Sequence, residues 1–413
     1  MTLFADAATS FIALRPDATS RERAWRAYLS EGLPATSDEV WRYAPLRELD
    51  LNNYSVPSEP RPGVDTSFAT QLCSRADLVV RVTDGFLDES TVAIDGVTVE
   101  ATDSLSCLDG EDRAARYASD SFALLNAALA PATTLVRVAA GVNVQRPIVI
   151  VHATNSSSSF ARTHVELGRG ASATVVEYFE GGDDALVVPL SEYAVGENAS
   201  LQLITYQRLA LSAWHVARTT GFIGRDARLA QAVIGMGGHY NRSRNDAVME
   251  GVGAQNELRT TFLGSDSQVH DFRTHQFHVA PRSRSLLLSK GAVADESRSV
   301  YTGLIEIEKG ARRTDARQTN HNLLLSPLAH ADSVPNLEIR ENDVVCAHAS
   351  SVGPLDELQR WYLESRGVRR PDAERLMIQG FFNEMLVALP EDLSGLVESD
   401  VTAVLGTLSA VAP

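Results

Sequence analysis

Cys346 and His348, two positions apart, are the residues of this 413-residue chain whose types and spacing best suit metal chemistry. They lie in the run DVVCAHASSV, which has the composition of a β-strand. Residues two apart on a strand share a face, and at about 3.3 Å of rise per residue their Cα atoms lie roughly 6.6 Å apart. The pair could therefore bind one metal ion, although two ligands do not complete a site. A buried cysteine acting as a small hydrophobe beside a hydrogen-bonded histidine remains the alternative.

A second group of possible ligands, His270, His275 and His278, lies upstream together with Asp271. Strand alternation places His270 and His278 on one face and His275 on the other. One straight strand would not bring all three rings to one ion. We therefore predict a structural role for these histidines, in side-chain ladders or at a subunit contact.

The strands that position these residues belong to a repetitive segment, residues 77–353. A glycine-containing turn followed by alanine recurs there at Ala171, Ala199, Ala227 and Ala254, at spacings of 28, 28 and 27, and Ala311 lies 57 residues further on. A period near 28 indicates a solenoid, and the short runs between the turns favour strands over helices. We predict a parallel β-helix core, with a β-sandwich that has coincidentally spaced turns as the alternative.

Both ends of the chain have helical patterns, which we assign to an N-terminal region, 1–76, and a C-terminal region, 354–413. A helix is predicted from Thr19 to Gly32, with Trp25 and Leu29 on one face. Near the C-terminus a first helix ends by Gly367, and a second runs from Pro371 to Pro390. The apolar stripes of these two helices comprise Leu358, Trp361 and Tyr362 in the first, and Ile378, Phe382, Met385, Leu386 and Leu389 in the second.

Composition limits the function. A formal charge of −16 and a pI near 5.1 argue against nucleic acid and anionic membranes as partners, because both require a basic surface. Cys73, Cys107 and Cys346 are odd in number and widely spread, which fits a reducing compartment. Without a basic leader or a long apolar run, the chain is expected to be cytoplasmic. It contains no G-x-x-x-x-G-K-[ST] motif for ATP hydrolysis.

The segment from Ala331 to Gly367 carries a more specific signal. Its succession of A-D-S-x-P-x-L-E-I, N-D-V-x-C-x-H, G-x-L-D and W-Y-L-x-S-R-G resembles the SufB/SufD family of iron–sulfur cluster assembly proteins. The similarity extends upstream through Ser289 to Pro327 and more faintly to Trp41 to Leu51. The resemblance implies a right-handed parallel β-helix flanked by helical regions. It also implies a non-catalytic scaffold subunit that pairs with a SufB-like subunit and binds a SufC-like ABC ATPase through its C-terminal helices.

The chain is similar to the SufD-type members of this family. Asn320 stands where SufB carries a functional cysteine, and Cys346 and His348 match the Cys-x-His pair of SufD-type proteins. Ala349 departs from the glycine that often follows this histidine, which could change the orientation of the imidazole. The resemblance thus implies that His348 and Cys346 are candidate ligands of a transient iron or iron–sulfur site shared with the SufB-like subunit. It implies an ATPase-docking region whose candidate residues are Leu358, Trp361, Tyr362, Phe382 and Met385.

Several alternatives stay open at this stage. The chain could be a purely structural scaffold that supplies no ligand, or an independent β-helix enzyme. The isolated chain could also pair with a second copy of itself. The sequence leaves open whether flavin binds, which cluster forms and which protein donates iron. Cys73 and Cys107 have no motif around them and are assigned structural roles.

Overall fold

A computed structural model describes residues 3–63, 65–91, 94–103, 120–386 and 389–407; Cys107 lies outside these ranges. Most of the described chain forms β-strands. In chain order they are β1 (Leu78–Thr83), β2 (Phe86–Thr91), β3 (Val97–Thr102), β4 (Thr133–Val138), β5 (Ile148–Thr154), β6 (Ser158–Ser159), β7 (Arg162–Leu167), β8 (Ser172–Gly181), β9 (Leu186–Val187), β10 (Leu190–Val195), β11 (Ser200–Leu209), β12 (Trp214–Ile223), β13 (Arg228–Gly235), β14 (Tyr240–Met249), β15 (Gln255–Gly264), β16 (Val269–His278), β17 (Arg284–Val293), β18 (Arg298–Ile307), β19 (Asp315–Leu324), β20 (His330–Ile339) and β21 (Val345–Pro354).

The strands form two sheets that wind along one solenoid. Sheet 1 has the order β2-β1-β5-β8-β11-β13-β15-β17-β19-β21, and sheet 2 has the order β20-β18-β16-β14-β12-β10-β7-β4-β3. Only the pairs β1–β2 and β3–β4 among these neighbours are antiparallel; the others are parallel. Successive strands of each sheet are separated by one full coil of chain, as when Ser172 pairs with Ser200 and Ser200 with Arg228. The predicted parallel β-helix is confirmed, and the β-sandwich alternative is wrong.

The repeated turn before the strands of sheet 1 explains the alanine signal. A residue with positive φ lies two positions before each of the six strands β8, β11, β13, β15, β17 and β19, namely Gly170, Asn198, Asp226, Gly253, Arg282 and Arg313. Glycine, asparagine and aspartate adopt this left-handed conformation with the least strain. Ala171, Ala199, Ala227 and Ala254 follow directly and are buried. Ala311 does not occupy the equivalent position, because Ser283 is followed one coil later by Thr314, so its predicted place in the repeat is wrong by three residues.

The interior of the solenoid changes character along its length. The N-terminal coils enclose a continuous apolar core that includes Ile148, Ile150 and Val165. Towards the C-terminal end polar side chains take the interior positions. On β19 these positions belong to Ala316, Gln318, Asn320 and Asn322, all of them buried. The candidate ligands Cys346 and His348 lie on the next strand of this polar end.

The N-terminal helices are α1 (Leu3–Ala13), α2 (Ala18–Glu31), α3 (Ser67–Cys73) and α4 (Ser121–Leu129), with 3₁₀ turns at Glu39–Trp41, Leu46–Glu48 and Leu51–Asn53. The predicted helix at Thr19 corresponds to α2, and Gly32 follows its end with positive φ. Its buried face contains Trp25 stacked on Tyr28, whereas Leu29, four residues after Trp25, is exposed. Helix α4 lies within the predicted core segment but packs with α1 and α2.

Three helices follow the solenoid: α5 (Glu357–Ser365), α6 (Arg370–Leu386) and α7 (Glu391–Thr407). Gly367 has a φ of +87° just after α5, as expected for a glycine that ends a helix. Helix α6 begins one residue before the predicted Pro371, and α7 was not predicted. Both α6 and α7 pack on the outer face of sheet 1. Among the described residues, no helix combines the length and the apolar character needed to cross a membrane.

Candidate functional site

The C-terminal end of the solenoid presents two open strand edges. Strands β20 and β21 are the last members of sheets 2 and 1, and no described strand pairs with their outer edges. Several apolar side chains on these two strands are exposed: Val334, Leu337, Ile339, Val345 and Val352. An edge with free backbone groups and exposed apolar residues favours pairing with another strand. This end of the molecule is therefore suited to contact with another protein.

Cys346 and His348 lie on β21 and face the direction of the solenoid interior. The register pairs Cys346 with Ala316 and His348 with Gln318, so the two side chains share a face as predicted. Cys346 is half-buried and packs against a small apolar cluster that contains Ile305, Ile307, Ala311 and Ala316. Burial, aided by the nearby Asp315 carboxylate, raises the pKa of the Cys346 thiol. The sulfur is therefore protonated at neutral pH, and metal binding would have to displace that proton.

His348 has a different environment from Cys346. Its side chain is exposed at the open edge, and its ring forms no hydrogen bond within the described residues. The alternative interpretation of the sequence is a small hydrophobic cysteine beside a hydrogen-bonded histidine. Cys346 fits its part of that interpretation, but His348 lacks the hydrogen bond within the described residues. No group of three histidine, cysteine, aspartate or glutamate side chains able to hold a metal occurs in the described ranges. A metal ion bound at His348 would need ligands from outside this part of the chain.

Behind His348, a polar layer joins the two sheets at the open end. Asn320 donates from Nδ2 to Ser333 Oγ on β20 at 2.8 Å, and Ser350 Oγ lies 2.7 Å from the same oxygen. Asn320 is buried, and its Oδ1 has no hydrogen-bond partner among described atoms. The resemblance places Asn320 where SufB carries a cysteine. In this structure the Asn320 side chain connects β19 to β20.

The C-terminal helices present a compact apolar surface. Leu358, Trp361 and Tyr362 are 79%, 66% and 54% exposed, and they form what we call the α5 apolar face. No residue of α5 is buried. Asp356, the residue before the helix, caps its N-terminus: the Oδ1 atom accepts hydrogen bonds from the backbone N–H groups of Leu358 and Gln359 at 2.8 and 3.0 Å. Large exposed apolar residues in one patch mark a protein-interaction surface.

Phe382 and Met385 do not belong to this surface. Both are buried on α6, in the apolar cluster that joins the C-terminal helices to the outer face of sheet 1. Their side chains hold α6 against sheet 1 and cannot contact a partner in this conformation. The sequence could not separate them from Leu358, Trp361 and Tyr362, because both groups form apolar stripes at helical spacing.

One lysine side chain connects α6 to the solenoid through a hydrogen bond and an ion pair. Lys290 on β17 donates from Nζ to the carbonyl oxygen of Phe381 at 2.9 Å and forms an ion pair with Glu384 at 2.8 Å. Lys290→Met keeps the apolar stem but loses both contacts, so we expect the free energy of unfolding to fall by about 1–2 kcal/mol. Urea denaturation measures this loss. Lys309→Met, at an exposed position, is the control, and equal stability of the two variants would contradict the anchoring role.

The three histidines of the second group lie on two opposite faces of β16, as predicted. His270 and His278 face the interior, where burial lowers their pKa values to about 4 and about 3. His278 contacts Ser283 Oγ and Ser285 Oγ at 2.8 and 2.9 Å through its two ring nitrogens. His275 lies on the outer face, 3.1 Å from Glu306 Oε2. These histidines occupy separate structural environments and do not converge on one position.

Sequence reasoning missed Gln318, which lies next to His348 in the ladder. The signal was present in the alternation of Ala316, Gln318, Asn320 and Asn322, which puts three amides at consecutive interior positions of one strand. Amide side chains are rarely buried without a reason, because their donors and acceptors must be satisfied.

Together these features define a class of protein: a parallel β-helix with an open polar end that carries potential metal ligands, and a C-terminal helical surface suited to a partner. The family model described as SUF system FeS cluster assembly, SufBD core domain, matches residues 149–381. The chain belongs to this SufBD family, which acts in iron–sulfur cluster assembly.

Curated relatives agree with this assignment. The chain is 29% identical over 373 residues to iron–sulfur cluster assembly protein SufD of Escherichia coli, covering 88% of this chain and 87% of the relative. It is 32% identical over 272 residues to the SufD of Bacillus subtilis, covering 64% and 62%. It is 30% identical over 381 residues to the SufBD family protein Rv1462 of Mycobacterium tuberculosis, covering 87% and 86%. The similarity thus supports a SufD-type member of the family.

Proposed function

We propose that this chain is the SufD-type subunit of a scaffold complex in which iron–sulfur clusters are assembled. In this proposal the open end pairs with a SufB-like subunit, and the α5 apolar face binds a SufC-like ABC ATPase. The chain contributes to iron acquisition and to de novo cluster formation, without catalysing a reaction itself. The observation that carries the proposal is the placement of His348, an exposed imidazole on the terminal strand of an open solenoid.

The open edges support pairing with a similar subunit. A strand of a second β-helix could continue sheet 1 beyond β21 and sheet 2 beyond β20, because parallel ladders require only an unpaired backbone edge. The exposed apolar residues of these strands would become buried in such a contact. His348 points towards the solenoid axis and would then be enclosed between the two subunits. Ligands from the partner could complete a site that this chain leaves incomplete.

The chemistry of the pair suits iron and sulfide as cargo. Neutral imidazole is a borderline ligand for ferrous iron, and thiolate is a soft ligand. His348 is exposed at the open edge, whereas Cys346 is half-buried and must first lose the proton that its apolar surroundings favour. His348 is therefore the principal ligand in this proposal and Cys346 a secondary one. ATP-driven closure of the ATPase subunits would open the interface and expose these ligands to incoming iron and sulfide.

The test replaces His348 within the complete complex. His348→Ala, coexpressed anaerobically with the SufB-like and SufC-like partners, is expected to copurify normally but to yield at least about tenfold less cluster, because mutation even of a group that only orients a metal ligand lowers affinity or activity about 10- to 100-fold. The measurement combines the subunit ratio of the purified complex with its iron and sulfide content. His330→Ala is the control, since His330 is an exposed histidine at the start of β20.

Two results would contradict parts of the proposal. Full cluster yield from His348→Ala would remove the ligand role and favour a purely structural scaffold. That second candidate has support from the apolar packing of Cys346. Failure of the unmodified chain to copurify with either partner would contradict the scaffold function altogether.

A further inference from the structure

We propose that Gln318 is a positioning residue for His348, whose buried amide holds the imidazole in one orientation when a partner covers the open end. The inference rests on the function proposed above and assigns a role to a residue beyond the two candidate ligands. Gln318 does not touch the cargo in this proposal. It acts by fixing which ring nitrogen of His348 is left free for metal.

The Gln318 side chain is unusual because it is buried without a hydrogen bond to any described residue. The residue is only 1% exposed, yet neither its Nε2 nor its Oε1 has a hydrogen-bond partner among described atoms. A buried primary amide without partners destabilises the folded chain, and such groups are rare in folded proteins. An amide in this state is available for a hydrogen bond that forms only when the chain meets its partner.

The facing sheet leaves room for this amide. Gly303 lies on β18, and a Cβ atom added there would come within 2.3 Å of Gln318 Nε2 and 2.5 Å of its Cδ and Oε1. These distances are far inside van der Waals contact. Glycine at position 303 is therefore required for the amide to occupy its place, and the packing restricts where the Gln318 side chain can lie.

The register brings the amide to His348. Gln231, Leu258, Leu287, Gln318 and His348 form one interior column of sheet 1, each paired with the next in the ladder. Neighbouring strands lie about 4.8 Å apart, which is within reach of a glutamine side chain. His348 is the last member of this column and the only one that is exposed.

Enclosure of His348 by a partner would create a need for a hydrogen bond to its ring. A histidine that binds metal through one nitrogen usually donates its other N–H to a carbonyl or carboxylate oxygen. The Gln318 Oε1 atom is an unused acceptor one strand away on the same face. Such a bond fixes the tautomer and the orientation of the imidazole, and so directs its free nitrogen towards the shared site.

The experiment compares two glutamines of the same column. Gln318→Met preserves length but removes the acceptor, and Gln231→Met makes the same change three strands away, where Gln231 Nε2 donates to Asn256 Oδ1 at 3.0 Å. The readouts are the melting temperature of each isolated chain, the subunit ratio of each complex and the affinity of the metal-free complex for Fe²⁺ under anaerobic conditions. We expect Gln318→Met to melt at the same or a higher temperature, to assemble normally and to bind Fe²⁺ about 10- to 100-fold more weakly.

The control variants separate positioning from structure. Gln231→Met should bind Fe²⁺ as the unmodified complex does. Gln318→Glu retains an acceptor oxygen and should keep most of the affinity that Gln318→Met loses. A lower melting temperature or a dissociated complex for Gln318→Met, with Fe²⁺ affinity unchanged in the complex that remains, would assign Gln318 a structural role and overturn the inference.

His348→Ala, measured in parallel, distinguishes the two proposals. If His348→Ala weakens Fe²⁺ binding and Gln318→Met does not, the positioning role of Gln318 is overturned and the ligand role of His348 stands. If neither variant changes Fe²⁺ affinity, the ligand role of His348 fails and the inference about Gln318 fails with it.

Discussion

Lowering the pH from 7.5 to 5.5 is expected to destabilise the solenoid by several kcal/mol, because three interior histidines resist protonation. Burial lowers the pKa of His215 and of His270 to about 4, and that of His278 to about 3, from an ordinary value of 6.5. Above pH 6.5 these residues are neutral in both the folded and the unfolded chain. As the pH falls towards 4, the unfolded chain binds protons that the folded chain excludes. Each histidine then lowers the free energy of unfolding by up to about 1.4 kcal/mol per pH unit.

Urea denaturation at pH 7.5, 6.5 and 5.5 measures this effect. His270→Gln should reduce the slope between pH 6.5 and 5.5 by up to about a quarter, since His275 and His164 also have lowered pKa values and contribute beside the three interior histidines. Leu258→Met is the control, because Leu258 is an interior residue that does not titrate, so its variant should change stability equally at each pH. A midpoint that is the same at pH 5.5 and 7.5 would show that the interior accommodates charged imidazoles.

Trp361→Ala is expected to weaken binding of a SufC-like ATPase by about 30- to 1,000-fold, equivalent to about 2–4 kcal/mol. Trp361 is 66% exposed at the centre of the α5 apolar face, between Leu358 and Tyr362. Tryptophan is the residue most enriched among those that dominate binding energy at interfaces, because it buries a large rigid surface. The stability of the isolated chain should change little, since the side chain makes few intramolecular contacts.

Titration of the purified ATPase subunit against the chain, by calorimetry, measures this loss. Leu14→Ala provides a control, because Leu14 is also an exposed apolar residue, at 82%, but follows α1 in the N-terminal region. Its affinity should equal that of the unmodified chain. If Trp361→Ala binds within twofold of the unmodified chain, the α5 apolar face is not the docking surface, although the pairing proposed for the open end would be unaffected.

Sequence patterns alone grouped the residues of both proposed surfaces, but they could not show which apolar stripe would be exposed. Alternation alone put Cys346 and His348 on one face, and helical spacing alone put Leu358, Trp361 and Tyr362 on another. The stripe containing Phe382 and Met385 had the same pattern but proved to be core. The difference arises because α6 and α7 dock on the outer face of sheet 1, whereas α5 does not.

The sequence by itself determined the β-helix. Its strand alternation and the residues that favour positive φ, such as Asn198 and Asp226, act through neighbouring backbone atoms and recur once per coil. Only the tertiary structure decided which of the interior-facing side chains are exposed to solvent. Gln318 and His348 occupy the same interior column, yet Gln318 is covered by the following strand and His348 is not, because β21 is the last of its sheet. Burial depends on which strand or helix covers each coil, and the covering contacts join residues that are far apart in the chain.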